Sequence, residues 1–387
     1  MQMASPILLI QLVLLHQSWA SPTSYNVVDL GAKGDGKTDS TSAMSKAWNQ
    51  ACASTKPSTI YIPQGTFLLR TLHFRGPCNN PDIAITIAGT LLAPSAYIAA
   101  ANWLLFEGVD GVSIRGGTLD AQGGSLWACK KSGRNCPRGA TTLGITKSKN
   151  IEISGLTSLN SQMFHIVING CQNVKLQGAK VRAPENSPNT DGIHVQLSTA
   201  VTILNSVIRT GDDCISIGPG TANLWIQNVA CGPGHGISIG SLGKGLEEAG
   251  VQNVTVRSVK FENTQNGVRI KTWGRPSKGF VRNVLFGHVL MNNVQNPIII
   301  DQNYCPNNQN CPGQVSGVKI SDVIYQDIRG TSATEVAVKF DCSKANPCRR
   351  IKLKNVNLSY RDQRARALCS NAAGTAAGRI EPSSCLY

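Results

Sequence analysis

The sequence predicts an all-β protein, a single right-handed parallel β-helix over residues 21–387 with a short helix capping its N-terminal end. The first sign is a recurring phrase: a polar residue or Gly, then an apolar, a variable and an apolar residue. It appears as Asn150-Ile151-Glu152-Ile153, Asn173-Val174-Lys175-Leu176, Asn223-Leu224-Trp225-Ile226, Asn253-Val254-Thr255-Val256, Asn283-Val284-Leu285-Phe286 and Gly317-Val318-Lys319-Ile320. The second sign is its spacing, about 23 to 34 residues with one double interval, which is the period range of a solenoid. Each phrase alternates as a short strand with one buried face does, and Gly, Asn and Ser cluster between the copies. Three such strands joined by turns make a coil, and coils stack at the inter-strand spacing of about 4.8 Å. A β-sandwich would instead show hairpin turns about every 8 to 12 residues.

Taken in order, the chain opens with an apolar stretch from Ile7 to Leu15 and then Ser18-Trp19-Ala20, with small residues three and one before a cut after Ala20. Residues 1–20 read as a secretory signal, although no Lys or Arg precedes the apolar stretch; a buried N-terminal helix is the alternative. No later run reaches the roughly 20 apolar residues of a membrane span, so a soluble, secreted monomer with no membrane partner is expected. Residues 40–52 read as the capping helix, with Asp39 or Ser40 as N-cap and Ala43, Ala47, Trp48 and Ala51 as its apolar stripe. From Arg361 onward a Gly- and Ala-rich loop, stapled by Cys369 and Cys385, is expected to close the far end.

Lys and Arg outnumber Asp and Glu by 37 to 22, a formal charge of +15. A polyanionic partner follows. For a secreted chain without a dense basic run or aromatic platforms, an acidic polysaccharide such as pectate fits better than nucleic acid. Thirteen cysteines imply a disulfide framework. Proximity pairs Cys129 with Cys136, Cys305 with Cys311, Cys342 with Cys348 and Cys369 with Cys385. Cys52 with Cys78 and Cys214 with Cys231 complete six bridges and leave Cys171 over. A zinc site would need a cysteine knuckle with a close histidine, which is absent. Asn253 and Asn357 open glycosylation sequons.

Four motifs carry the chemistry: Ser187-Pro188-Asn189-Thr190-Asp191-Gly192, Gly211-Asp212-Asp213-Cys214, Gly234-His235-Gly236 and Arg269-Ile270-Lys271. In a solenoid, sequence intervals of one coil become short distances, and Asp191 to Asp213 is 22 residues while Asp212 to His235 is 23. His235 to Arg269 is longer by about ten because of the Gly-rich, charged insertion Leu242 to Gly250. With Val268 and Ile270 facing the core, Arg269 and Lys271 point into the same groove. An isolated Gly-Asp-Asp is usually a solvated turn, an isolated His usually structural, and a pair of strand cations usually a solvated face. Crowded together they become three carboxylates of which one is pushed toward protonation and can act as an acid, beside a fork and a point charge for a sugar carboxylate.

In this order and spacing the set resembles the polygalacturonases, family 28 of the glycoside hydrolases, and among them the plant enzymes of the pollen type. The likeness runs over nearly the whole of residues 21–387. It implies the pectin-lyase-like β-helix and a cell-wall enzyme, free of metal and cofactor, that hydrolyses the α-1,4 bonds of homogalacturonan with inversion. It implies Asp212 as acid, Asp191 and Asp213 as the pair that positions and deprotonates water, His235 as partner of the acid, and Arg269, Lys271 and Tyr304 as substrate contacts. Asn189 either holds a sugar hydroxyl or caps its turn, and His194, between core residues Ile193 and Val195, is a groove-facing subsite candidate. The pollen-type likeness favours exo action over endo. Insertions at Cys129 to Arg138 and Tyr304 to Gly313 are candidates for closing one end of the groove. A calcium-dependent pectate lyase and a non-catalytic pectin-binding wall protein are the competing readings.

Overall fold

A computed structural model describes residues 23–361 and 363–387. The signal over residues 1–20 lies outside the described residues. The chain winds as a parallel β-helix with an 18-stranded and an 11-stranded sheet. The larger sheet wraps two faces of the coil. In early coils these are separate strands, as Lys149–Ser154 and Thr157–Leu159 around Gly155, and in later coils one strand runs through the bend, as Thr199–Arg209 does at Asn205.

The recurring phrase is the stacking unit. Ile151, Val174, Val201, Leu224, Val254, Val284, Val323 and Ile351 stand in register on successive coils, each buried, and form one apolar column of the core. The double interval is filled by Ala200-Val201-Thr202-Ile203. The Gly317 phrase is one coil element out of place: Lys319 and Ile320 pair with Phe280 and Val281, and Asp322-Val323-Ile324-Tyr325 occupies the repeat position. The expected pattern missed it because Asp322 takes the role of Asn.

That role is conformational. Asn150, Asn173, Asn223, Asn253 and Asn283 all have φ between 52° and 56°, and Asp322 follows at 57°. Asn and Asp reach this left-handed region more readily than other side chains, and the turn between faces needs it. Their amides also link the coils, Asn253 Nδ2 donating to Asn223 Oδ1 at 3.0 Å and Asn283 Nδ2 to Asn253 Oδ1 at 3.2 Å. The sequon residue Asn253 is thus a rung of this ladder, while Asn357 lies half-buried in the strand Cys348–Tyr360.

The helix Thr41–Ala53 closes the first coils, burying Ala43, Met44, Ala47, Trp48 and Ala51. Trp48 meets Phe74 and Phe106 edge-on at 5.2 and 5.7 Å. Its N-terminus is held by Asp39, whose Oδ1 accepts from the Thr41 amide at 2.9 Å. At the other end the expected Gly- and Ala-rich loop is instead the strand Ala372–Glu381, which extends the larger sheet because small residues fit flat against Cys348–Tyr360. A second helix, Gly124–Lys131, was not anticipated; it is short and buries only Leu126 and Trp127. All six expected disulfides form, and Cys171 is a buried free thiol. Among the described residues, no helix is long and apolar enough to cross a membrane.

The ladder makes a testable demand. Asn253→Ala loses both the left-handed preference and the two rungs and should destabilise by about 2–3 kcal/mol in denaturant titration. Asn253→Gly keeps the backbone conformation and should cost less.

Candidate active site

The smaller sheet places the motifs. Ile193, Ile215 and Ile237 stack in register at the starts of the strands Ile193–Gln196, Ile215–Ile217 and Ile237–Leu242. Asp191, Asp213 and His235 each lie two residues ahead of those isoleucines, so they occupy equivalent places on three successive coils. Asp212 sits one residue earlier, in the turn. The Cys214–Cys231 bridge ties this turn to the segment that leads to His235. Gly236, at φ 87°, has no room for a side chain: a Cβ there would lie 2.1 Å from the Asn266 carbonyl oxygen. On the preceding side it is Gly234 that comes close, a Cβ there lying 3.0 Å from the Asp212 carbonyl oxygen, to which the His235 amide donates at 2.7 Å.

Arg269 and Lys271 alternate with buried Val268 and Ile270 on the strand Asn266–Trp273 and reach back to Asp213. Asp213 Oδ1 accepts from Arg269 at 2.8 Å and from the Ser238 hydroxyl at 2.9 Å, and Oδ2 accepts from Lys271 Nζ at 2.8 Å. Burial opposes ionisation of Asp213, but Lys271 and Arg269 outweigh it and hold its pKa down at about 2. Asp191 is the opposite case. Burial, then the charges of Asp212 and Asp213, push its carboxyl well above the usual carboxylate range, against a 2.6 Å hydrogen bond from Ser216. The carboxyl that burial and crowding raise is Asp191, which is buried without a cation of its own. Asp212 is the most open of the three, with His235 Nδ1 3.1 Å from its Oδ1 and Asn189 Nδ2 at 3.5 Å. Asp212, Asp213 and His235 bring one ligand atom each within 4.8 Å of one another, yet both oxygens of Asp213 are already taken by cationic side chains.

Asp191, Asp212 and Asp213 border a groove of about 610 Å³ that also holds Asn189, His194, Lys271 and Tyr304, while His235 and Arg269 contact these carboxylates without lining it. Tyr304 meets Trp273 edge-on and stands 5.2 Å from Lys271 Nζ. His194 lies 2.7 Å from Ser216 Oγ and 3.1 Å from Gln196 Oε1, and burial holds its pKa below the ordinary imidazole value. Ser216 and Ser238, which position Asp191 and Asp213, were missed; the duplicated Ile-Ser-Ile one coil apart, Ile215 to Ile217 and Ile237 to Ile239, was the available signal. Phe164, Met163 and Arg138 line the other end, and Lys244 and Glu248 enter from the Leu242 to Gly250 insertion.

The model of the glycosyl hydrolases family 28 matches residues 52–382. The chain belongs to glycosyl hydrolases family 28. It is 65% identical over 382 residues to a polygalacturonase of Prunus persica, covering 98% of this chain and 97% of the relative. To an exopolygalacturonase of Platanus acerifolia it is 44% identical over 371 residues, 94% of this chain and 98% of the relative. Among solved structures, the endo-xylogalacturonan hydrolase from Aspergillus tubingensis superposes with a TM-score of 0.82 at 25% identity, covering 92% of this chain and 99% of that one. The family resemblance and the parallel β-helix drawn from the four motifs and the repeat therefore hold.

The two buried carboxylates of this family 28 site should report opposite signs. Asp213 has its pKa lowered from 3.8 to about 2, so its stabilisation is complete above pH 4 and is lost as the pH falls through 2. Asp191 has a raised pKa, so ionising it costs stability once the pH rises above 3.8. Thermal melts at pH 7 should show Asp213→Asn destabilised, by about 3–5 kcal/mol since its cations are left unpaired, and Asp191→Asn stabilised. The gain from Asp191→Asn should vanish near pH 3, below the ordinary carboxylate pKa.

Proposed function

We propose that the protein is a secreted polygalacturonase that cleaves the α-1,4 bonds of de-esterified homogalacturonan in one inverting step. The observation that carries this reading is the meeting of three unlike carboxyl groups in one groove, one of them held by two cations. Water attacks the anomeric carbon as the glycosidic bond breaks; Asp212, open to the groove and paired with His235, gives its proton to the leaving oxygen. Asp191, in its ionised form, takes the proton of the water, because a carboxylate with a raised pKa is the better base, while Asp213, with a pKa of about 2, orients the water and balances charge. Arg269, Lys271, Lys244 and Tyr304 hold the uronate, which makes neutral galactosides poor substrates. Six disulfides support an oxidising, extracellular destination, and the cell wall is where the polymer lies.

Exo action, with release of galacturonate, is supported by the relative from Platanus acerifolia and by the bridged insertion that brings Arg138 to one end of the groove. Incubation with polygalacturonate in chelator, with Asp212→Asn as control, tests both layers. Monomer with little loss of viscosity is expected. A spread of saturated oligomers would mean endo action, an unsaturated product would mean a lyase, and no product would leave only binding. The base assignment has its own test. Ser216→Ala removes the hydrogen bond that lowers the Asp191 pKa, so the acidic limb of kcat/KM should move to higher pH; an unmoved limb would remove Asp191 from that role.

A further inference from the structure

We propose that the outer face of the 18-stranded sheet, around Trp225, Arg257, Lys352 and Lys354, is a second binding surface for acidic polysaccharide, separate from the groove. It rests on the reading of a polyuronate substrate and adds a site where the polymer is held without being cut.

The distribution of charge points there. Residues 251–387 carry 19 Lys and Arg against 8 Asp and Glu, which is most of the excess in the chain. Arg269 and Lys271 are only two of these 19, and both face Asp213. On the outer face the compensation is not at contact distance. Trp225, Thr255, Leu285, Ile324 and Lys352 stand in register on successive coils, and Gln227, Arg257, Gly287, Gln326 and Lys354 form the next outward row. Among the described residues, Arg257, Lys352 and Lys354 form no ion pair with a carboxylate. Of the acids near them, Asp322 is paired with Arg350 and Asp327 with His288, and Lys352 and Lys354 act on these two only at longer range.

The chemistry suits a uronate chain. Trp225 is 38% exposed although it sits on a strand with a buried face, and the Arg257 guanidinium lies 5.9 Å from its ring. Its Nε1 donates to Gln227 Oε1 at 2.9 Å, which holds the indole against the sheet. An indole continued by Leu285 and Ile324 offers the carbon face of sugar rings an apolar track, and the cations beside it offer partners for carboxylates. Four strand spacings separate Trp225 from Lys352, about 19 Å, so the surface spans several sugar units. The groove lies on the other sheet, so both can be occupied at once.

Co-sedimentation of the full chain with calcium-pectate beads tests this, in an Asp212→Asn background that leaves the polymer intact. Lys352→Glu with Lys354→Glu should weaken bead binding about tenfold, and Trp225→Ala about threefold. A control with the same charge change at the N-terminal end, Lys37→Glu with Lys46→Glu, should stay within about twofold. With Asp212 restored, the face variants should keep kcat/KM on trigalacturonate within about twofold of the unsubstituted protein. Undiminished bead binding by the double variant would overturn the proposal. So would an equal loss in the control, or displacement by polyglutamate as effective as by polygalacturonate. If no form cleaves trigalacturonate while the double variant still loses the beads, the catalytic reading fails and this surface stands.

Discussion

Coil-to-coil register is the constraint on which everything else rests. A parallel ladder lets a residue on one coil meet its counterpart on the next at one strand spacing, and a slip of one residue would turn every inward side chain outward. The stacked isoleucines at 193, 215 and 237 enforce that register from the core side. Two residues ahead of each, the outward groups are then obliged to be neighbours. Three titratable side chains do not assemble there by mutual attraction; they are carried there by an apolar column that cannot slip without exposing itself.

Once neighbours, the carboxyl groups are made different by what the adjoining coils supply. Asp213 faces a strand that returns Arg269 and Lys271 to it, and Asp191 faces one that returns only the Ser216 hydroxyl. Equal side chains one coil apart therefore acquire opposite pKa shifts. The difference is topological in origin, since the coil beyond His235 bears the cations and the coil before Asp191 bears Phe164.

Much of this was legible in the sequence. The Asn-apolar-x-apolar phrase exposed the coil, the four motifs exposed the site, and the alternation in Val268-Arg269-Ile270-Lys271 exposed the direction of both cations. What stayed hidden depended on partners that sequence spacing does not name. The phrase around Asp322 escaped because Asp substitutes for Asn at a left-handed turn, and the strand Ala372–Glu381 escaped because its small residues lack a β-forming pattern. The protonation order of the carboxyls escaped for a deeper reason. It depends on Lys271 and Arg269 reaching Asp213 but not Asp191, a distinction of ångströms between residues 56 to 80 positions apart.

Placement along the solenoid follows from cost. Burying a carboxylate with two cations is expensive unless water is kept out and every partner is held in place. End coils fray and expose their edges, so a buried ionic cluster belongs in coils with neighbours on both sides, and there the Cys214–Cys231 bridge and the stacked isoleucines pin it. Uncompensated surface charge has no such requirement. It can spread over the outer face of the C-terminal coils, where it acts over a Debye length instead of at contact distance. A rigid, internally neutralised groove and a loosely charged outer face are thus two solutions that one repeating backbone can hold together, because each coil presents one surface to each.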